Sequence, residues 1–401
     1  MSDASSPTGW RPWEWRRRTS VLALCVLGYF GVRFIEFALS LVFADIRSAL
    51  GVSLSTIGLA ITASTITYAI AQLPSGALGD RFGERTIVLA SLGLTGIASA
   101  LVALSQSGLA IVLGMALIGA VSGAYYSPAT SLLADLFEGT GRAIGIHRLG
   151  AQAVGLTGPI VARVAASFGW RVVCLLGAVV AFPVSIAFRF VVRARPPTRP
   201  DTPLREQVHP SVLTELLSRP KIAFTTVIAG FAQFVDTATF SFLPLVLREY
   251  HGLSIGVVGT LFTVYFVVLT AIQPPSGWLA DRVGRDLVTI VALFFGIGGY
   301  LALLTGGSFA VVAVGVVGVG LGMGWGPPVQ SRFIDALDEG ERGAGFGLVR
   351  TVYIGFAAFN GILVGKAAAV GGWGTGISVL LVSLTVPVVL LTANRAFGVG
   401  V

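Results

Sequence analysis

The chain has 401 residues, of which 54% are hydrophobic and 11% charged. Soluble proteins carry about 25% charged residues, so this composition cannot cover a water-facing surface and most of it must meet lipid. The net charge of +8 does not point to nucleic acid, because the basic residues fall in a few loops, the pattern that sets membrane orientation.

Met1–Ser20 is polar, with Arg11, Arg16, Arg17 and Arg18 ahead of the apolar run Val21–Phe43. That run is too long for a signal-peptide core and lacks a small-residue cleavage site, so it reads as an uncleaved first helix. A spanning helix needs about 20 apolar residues. Such runs are predicted near 20–45, 54–75, 86–105, 109–136, 143–165, 171–192, 221–246, 255–276, 287–307, 309–335, 343–367 and 374–395. The expected fold is an all-α membrane protein of twelve transmembrane helices. A cytoplasmic tail at 1–19 precedes a six-helix bundle at 20–192; a linker at 193–220 leads to a second bundle at 221–396 and a tail at 397–401. The linker is rich in proline and arginine, with a short surface helix predicted at Ser211–Ser218. Arg81, Arg85, Arg142, Arg282, Arg285 and Arg342 fall on the linker's side, against Arg47, Arg171, Arg248 and Lys366 opposite. Basic loops stay inside, so both termini are expected to be cytoplasmic. Cys25 and Cys174 lie in separate apolar runs and read as small hydrophobic filler, not a disulfide. His147, His209 and His251 have no metal-ligand spacing.

The chain repeats itself. Gln72–Gly83 and Gln273–Gly284 both read Q-x-P-S-G-x-L-x-D-R-x-G, at an offset of 201. Gly51, Ser53 and Gly58 match Gly252, Ser254 and Gly259 at the same offset. Pro128, Ser131, Asp135, Arg142 and Gly145 match Pro328, Ser331, Asp335, Arg342 and Gly345 at an offset of 200. Gly169-Trp170 finds its counterpart in Gly372-Trp373. An even number of passes separates equivalents, so the halves are parallel repeats about an axis along the membrane normal.

These residues resemble the major facilitator superfamily over essentially the whole chain. The G-x-L-x-D-R-x-G loop between helices two and three, and again between eight and nine, is that family's most specific mark. The resemblance implies a cytoplasmic gate. Gly76, Gly83, Gly277 and Gly284 would be packing glycines that bring the loop close to the partner half. Asp80 and Asp281 would be the acids of the closing charge network, with Arg81 and Arg282 as the bases after them. Asp135 with Arg142, and Asp335 with Arg342, match the acid and base flanking the loops after helices four and ten. One position departs: Arg285 fits the base expected after the last glycine, whereas Glu84 stands in the first copy and Arg85 follows it. The first-half network is therefore expected to be wired differently.

Ionisable groups at membrane depth need a reason. Arg33 and Glu36 lie mid-way along helix one, three residues apart on one face, and can pair. Asp236 lies mid-way along helix seven, with Gln233 one turn before it; a buried carboxyl there is a candidate for substrate, proton or sodium. His147 and Arg148 lie in helix five, and Arg350 in helix eleven. By the resemblance these helices border a central cavity, so Arg33, Glu36, Asp236, Gln233, Arg148, Arg350 and Asn360 are candidate cavity residues. Tyr125, Tyr126 and Trp325 are candidate aromatics there. Arginines facing one cavity favour an anionic substrate, because guanidinium binds carboxylate or phosphate with two hydrogen bonds. Gly150, Gly155, Gly158 and Pro159 partly match the glycine-proline motif of drug/proton antiporters, although no base stands in helix four. Gly119 with Gly123, and Gly318 with Gly322, are small-residue pairs that read as close helix packing.

No phosphate-binding loop, nucleophile elbow or metal-ligand cluster is found. Neither a cofactor, a metal nor an enzymatic activity is expected. The expected function is secondary transport of a small organic solute across the plasma membrane by alternating access, coupled to protons, with an organic anion or drug-like compound as substrate. The alternatives are a multidrug/proton efflux antiporter and, on the same fold, a non-transporting sensor or lipid scramblase. The expected partners are substrate, protons and membrane lipid, for a monomer. The excess of arginine over lysine points to a prokaryotic source.

Overall fold

A computed structural model describes residues 12–137, 140–194, 196–197, 210–338 and 344–398, which among them hold helices and no strand. Among the described residues, eleven segments are long and apolar enough to cross a bilayer. The last of these, Gly345–Phe397, is two spans. It contains Gly372 at φ 75°, in the left-handed region where a Cβ is strained. The helix turns back there, which brings the count to the predicted twelve. Gly169, at φ 80°, makes the same turn in the first half. The repeated Gly-Trp pair is thus the signature of a tight turn between the last two spans of each half.

In chain order the first half holds α1 (Pro12–Leu50), α2 (Leu54–Phe82), α3 (Glu84–Ala103), α4 (Gly108–Gly123), α5 (Tyr126–Ala134), α6 (Thr140–Ala153), α7 (Gly158–Phe168) and α8 (Trp170–Val191). α4 with α5 makes the fourth span, and α6 with α7, joined by a 3-10 turn at Val154–Thr157, makes the fifth. The linker helix α9 (Pro210–Ser218) falls at the predicted place; residues 195 and 198–209 lie outside the described part. The second half holds α10 (Pro220–Leu245), α11 (Ile255–Val283), α12 (Arg285–Thr305), α13 (Phe309–Gly322), α14 (Gly326–Ala336), α15 (Ala344–Ala357) and α16 (Asn360–Phe397). α10 runs on into a π turn at Val246–Tyr250. α1 begins at Pro12, well before the predicted residue 20. Hydropathy marks only the apolar part of a helix, and here the polar turns at its start stay helical.

Lipid gives helices little hydrophobic reason to associate, so association relies on van der Waals contact between close backbones. Gly119 and Gly123 of α4 lie against the backbone of Ser64 and Tyr68 in α2. Gly318 and Gly322 of α13 lie against Gly299 and Gly296 of α12. The same device joins the halves. Gly58 of α2 sits on the backbone of Gly361 in α16, and Gly158 of α7 on that of Gly259 in α11. Gly58 and Gly259 are repeat equivalents, so the two crossings are pseudo-twofold mates. Both lie in the half of the molecule far from the linker.

Candidate functional site

α1, α10 and α15 bring four charged side chains to one central cavity. Arg33 and Glu36 form an ion pair along one face of α1, and Arg33 also lies 5.3 Å from the Phe240 ring centroid. Asp236 faces the same space from α10. Gln233 Nε2 donates to it at 3.5 Å, and no ion pair reaches it among the described residues. Arg350 enters from α15, 5.8 Å from the Tyr126 ring centroid, with Tyr353 three residues further along the same helix and lining the same chamber.

The cavity has two chambers. The outer, about 210 Å³, is lined by Tyr29, Arg33, Glu36, Thr65, Tyr68 and Thr237 among others. The inner, about 330 Å³, runs toward the linker side past Tyr126, Arg148, Gln273, Trp325, Gln330 and Tyr353. Gln233, Asp236 and Arg350 line both chambers and mark where they join.

The far side is shut by two ion pairs between the halves. Arg47, at the end of α1, meets Glu249 at 2.5 Å, and Arg248 meets Asp45 at 2.9 Å. Trp373 Nε1 donates to Glu249 at 3.0 Å. Arg47 and Arg248 are related by the same offset of 201 as the sequence repeat. Each half's arginine takes an acid of the other half, although the acids themselves, Asp45 and Glu249, are not repeat equivalents. With the glycine crossings just inside it, the latch seals the cavity on the far side. On the linker side the pairs Arg285–Asp335 and Arg332–Asp286 both lie within the second half.

The gate residues of the repeated loops occupy the linker-side ends of α2 and α11. Arg81 lies 5.4 Å from the Phe82 ring centroid and Arg282 3.9 Å from that of Trp278. Asp80 and Asp281 make no ion pair among the described residues. The packing role implied for the four glycines divides. Gly76 and Gly277 face Ser127 and Pro327 of their own halves. Gly83, which is buried, and Gly284, where a Cβ would meet nothing within 4 Å, stand at φ 86° and 101°. They turn the chain from one span into the next, a left-handed position suited to glycine. The asymmetry between the copies is present. Arg285 pairs with Asp335 and donates to the Ser331 carbonyl at 3.0 Å. In the first copy Glu84 is buried and Arg85 turns to the Arg189 carbonyl at 2.5 Å. Asp135 ends α5 and Arg142 is exposed in the first turn of α6; Arg342 lies outside the described residues.

Of the candidate cavity residues, Arg33, Glu36, Gln233, Asp236, Arg148 and Arg350 line one or both chambers. Asn360 does not: it is fully buried and donates to the Ala357 carbonyl at 2.6 Å. Tyr125 also packs away from the cavity, donating to the Cys25 carbonyl at 2.7 Å, whereas Tyr126 and Trp325 line the inner chamber. Sequence reasoning missed Tyr29, Tyr68 and Tyr353, and it missed Asp45 and Glu249 as partners of Arg47 and Arg248. Two of these had a signal. Tyr29 stands four residues before Arg33, and Tyr353 three after Arg350, each on its arginine's helical face.

Comparison with known proteins places the chain. The family model described as Major Facilitator Superfamily matches residues 25–353 and 222–397. A triacylglyceride transporter of Mycolicibacterium smegmatis is 25% identical over 410 aligned residues, covering 83% of this chain and 71% of the relative. A hexuronate transporter of Bacillus subtilis is 23% identical, covering 70% of this chain and 72% of the relative. The crystal structure of a mutant nucleoside transporter NupG superposes with a TM-score of 0.82 at 11% identity, over 93% of this chain and 99% of that one. Twelve spans, a parallel repeat and the match along most of its length agree: the chain belongs to the Major Facilitator Superfamily of membrane transporters.

Proposed function

We propose that this protein is a proton-coupled secondary transporter for a small organic anion, working in the plasma membrane by alternating access, with both termini in the cytoplasm. The observation that carries this reading is the cavity at the interface of the halves, where Asp236 and Arg350 share one wall and neither has an ion-pair partner among the described residues. In family members of this architecture the binding site lies at such a repeat interface. Arg33 is already matched by Glu36, which leaves Arg350 where the chambers join, and Arg148 in the inner chamber, as the cations for an anionic solute. Asp236, in the field of Arg33, is the carboxyl that takes up and releases the proton; intramembrane acids of this kind serve proton relays. The hexuronate transporter, by its name, handles an anion. The arginine-rich loops on the linker side support a cytoplasmic linker, which makes the present conformation inward-facing, with the latch as its external seal.

The test is uptake into proteoliposomes, with and without an imposed proton gradient, over a panel of carboxylic acids, sulfonic acids and drug-like cations. An anion should accumulate only under the gradient. Asp236→Asn should abolish accumulation while solute exchange continues. Accumulation that ignores the gradient, or survives Asp236→Asn intact, refutes proton coupling at this residue.

A further inference from the structure

Resting on the reading of the cavity as a transport site, we infer that Arg350 and the tyrosines around it form a subsite for the oxyanion of an aromatic acid, a carboxylate or sulfonate carried on a planar ring. Tyr29 and Tyr68 approach Arg350 from the outer chamber, Tyr126 and Tyr353 from the inner. The Tyr126 ring centroid lies 5.8 Å from the guanidinium, and these neutral phenols line the space around Arg350 without neutralising it. A cation set in such a cage keeps its fork of N–H donors for an incoming oxyanion, and two parallel hydrogen bonds fix the anion's plane. The tyrosine hydroxyl groups add neutral donors of the same reach.

The requirement for a ring comes from the wall behind the cage. Tyr29 stacks on His147 at 4.9 Å, Tyr126 on His147 at 5.7 Å and Tyr29 on Tyr125 at 5.8 Å. His147 is fully buried, and neither ring nitrogen has a hydrogen-bond partner among the described residues. It serves this wall as a ring, not as a donor. The hydrogen bond from Tyr125 to the Cys25 carbonyl anchors the stack to α1. The wall is therefore fixed before any solute arrives, and Tyr29 and Tyr126 present aromatic surface to the chambers on either side of Arg350. A planar solute gains stacking there at little ordering cost. A cationic amine meets Arg350 as a like charge, and a neutral amide lacks the charge that the fork selects.

The test uses the full chain in lipid nanodiscs, with affinities read by isothermal titration. The ligands are benzoate, benzenesulfonate, cyclohexanecarboxylate, benzamide and benzylamine. In the wild type, benzoate or benzenesulfonate should bind at least about tenfold more tightly than benzamide or benzylamine, the scale of one charge-assisted contact, and more tightly than cyclohexanecarboxylate. Arg350→Gln should remove the preference for the acids. Tyr126→Leu should narrow the gap between benzoate and cyclohexanecarboxylate while leaving the preference for charge. Unfolding temperatures without ligand report whether each variant is folded, and the wild-type panel decides the matter if one is not. Equal binding of benzamide and benzoate, binding of no acid at all, or full benzoate affinity in folded Arg350→Gln overturns the subsite. The two readings fail differently. An aromatic acid bound through Arg350 but never moved across proteoliposomes sinks transport and leaves the subsite. A solute accumulated equally by Arg350→Gln sinks the subsite and leaves transport.

Discussion

Removing Glu249 should release the external seal. Its carboxylate holds Arg47 of the first half, at 2.5 Å, and Trp373 Nε1 of its own half, at 3.0 Å, so Glu249→Gln weakens a contact between the halves, which must part when the far side opens. An ion pair at 4 Å in an effective dielectric of 20 is worth about 4 kcal/mol. Here the side chain of Arg47 is 37% exposed and that of Glu249 21%, so solvent screening reduces the contribution to about 1–2 kcal/mol. The pair forms only while the far side is closed, so the whole of that energy falls on the conformational equilibrium. The outward-open population should rise by a factor of about 5–30, since 1.4 kcal/mol is tenfold. Ser241 lines the outer chamber and is buried, which makes Ser241→Cys a reporter in a chain whose native Cys25 and Cys174 are buried. A membrane-impermeant maleimide applied to oriented vesicles from the far side should label it faster by that factor when Glu249→Gln is added. Arg248→Gln, which breaks the mate of this pair, should act in the same direction. An unchanged labelling rate in both backgrounds would refute the latch.

Two further substitutions test the ends of the molecule separately. Gly58→Val puts a branched side chain against the Gly361 carbonyl; overpacking of about 1–3 kcal/mol should push the halves apart on the far side and raise Ser241→Cys labelling, whereas the same change at Gly93, where a Cβ meets nothing within 4 Å, should leave labelling unchanged. Asp80→Asn should slow transport severalfold with normal membrane insertion, because the resemblance implies that this acid acts only when the linker side closes; transport at the wild-type rate in proteoliposomes would remove Asp80 from the gate.

Much of this protein could be read from residue order. Lipid is a uniform solvent that demands long apolar helices, so composition alone required a helical membrane fold, and run lengths supplied the spans. The parallel repeat was legible because its turns need particular residues: a glycine at positive φ must stay glycine, and Gly83, Gly284, Gly169 and Gly372 appear at matched positions in the two halves. The Arg33–Glu36 pair was legible because its partners share one helix.

What joins separate helices was not legible. Local spacing cannot say that Arg47 meets Glu249, more than 200 residues away, or that Tyr29 and Tyr68 of one half flank Arg350 of the other. Those contacts depend on how two bundles lean together, and the lean is set by glycine crossings and packed surfaces, not by any short motif. For the same reason Asn360, on a helix that borders the cavity, turned out to face its own backbone. The sequence determined the helices, their number and their duplication, because each is a local response to lipid and to backbone strain. Only the tertiary structure decided which charges are matched and which face the cavity, because charge neutralisation is a property of distances between helices.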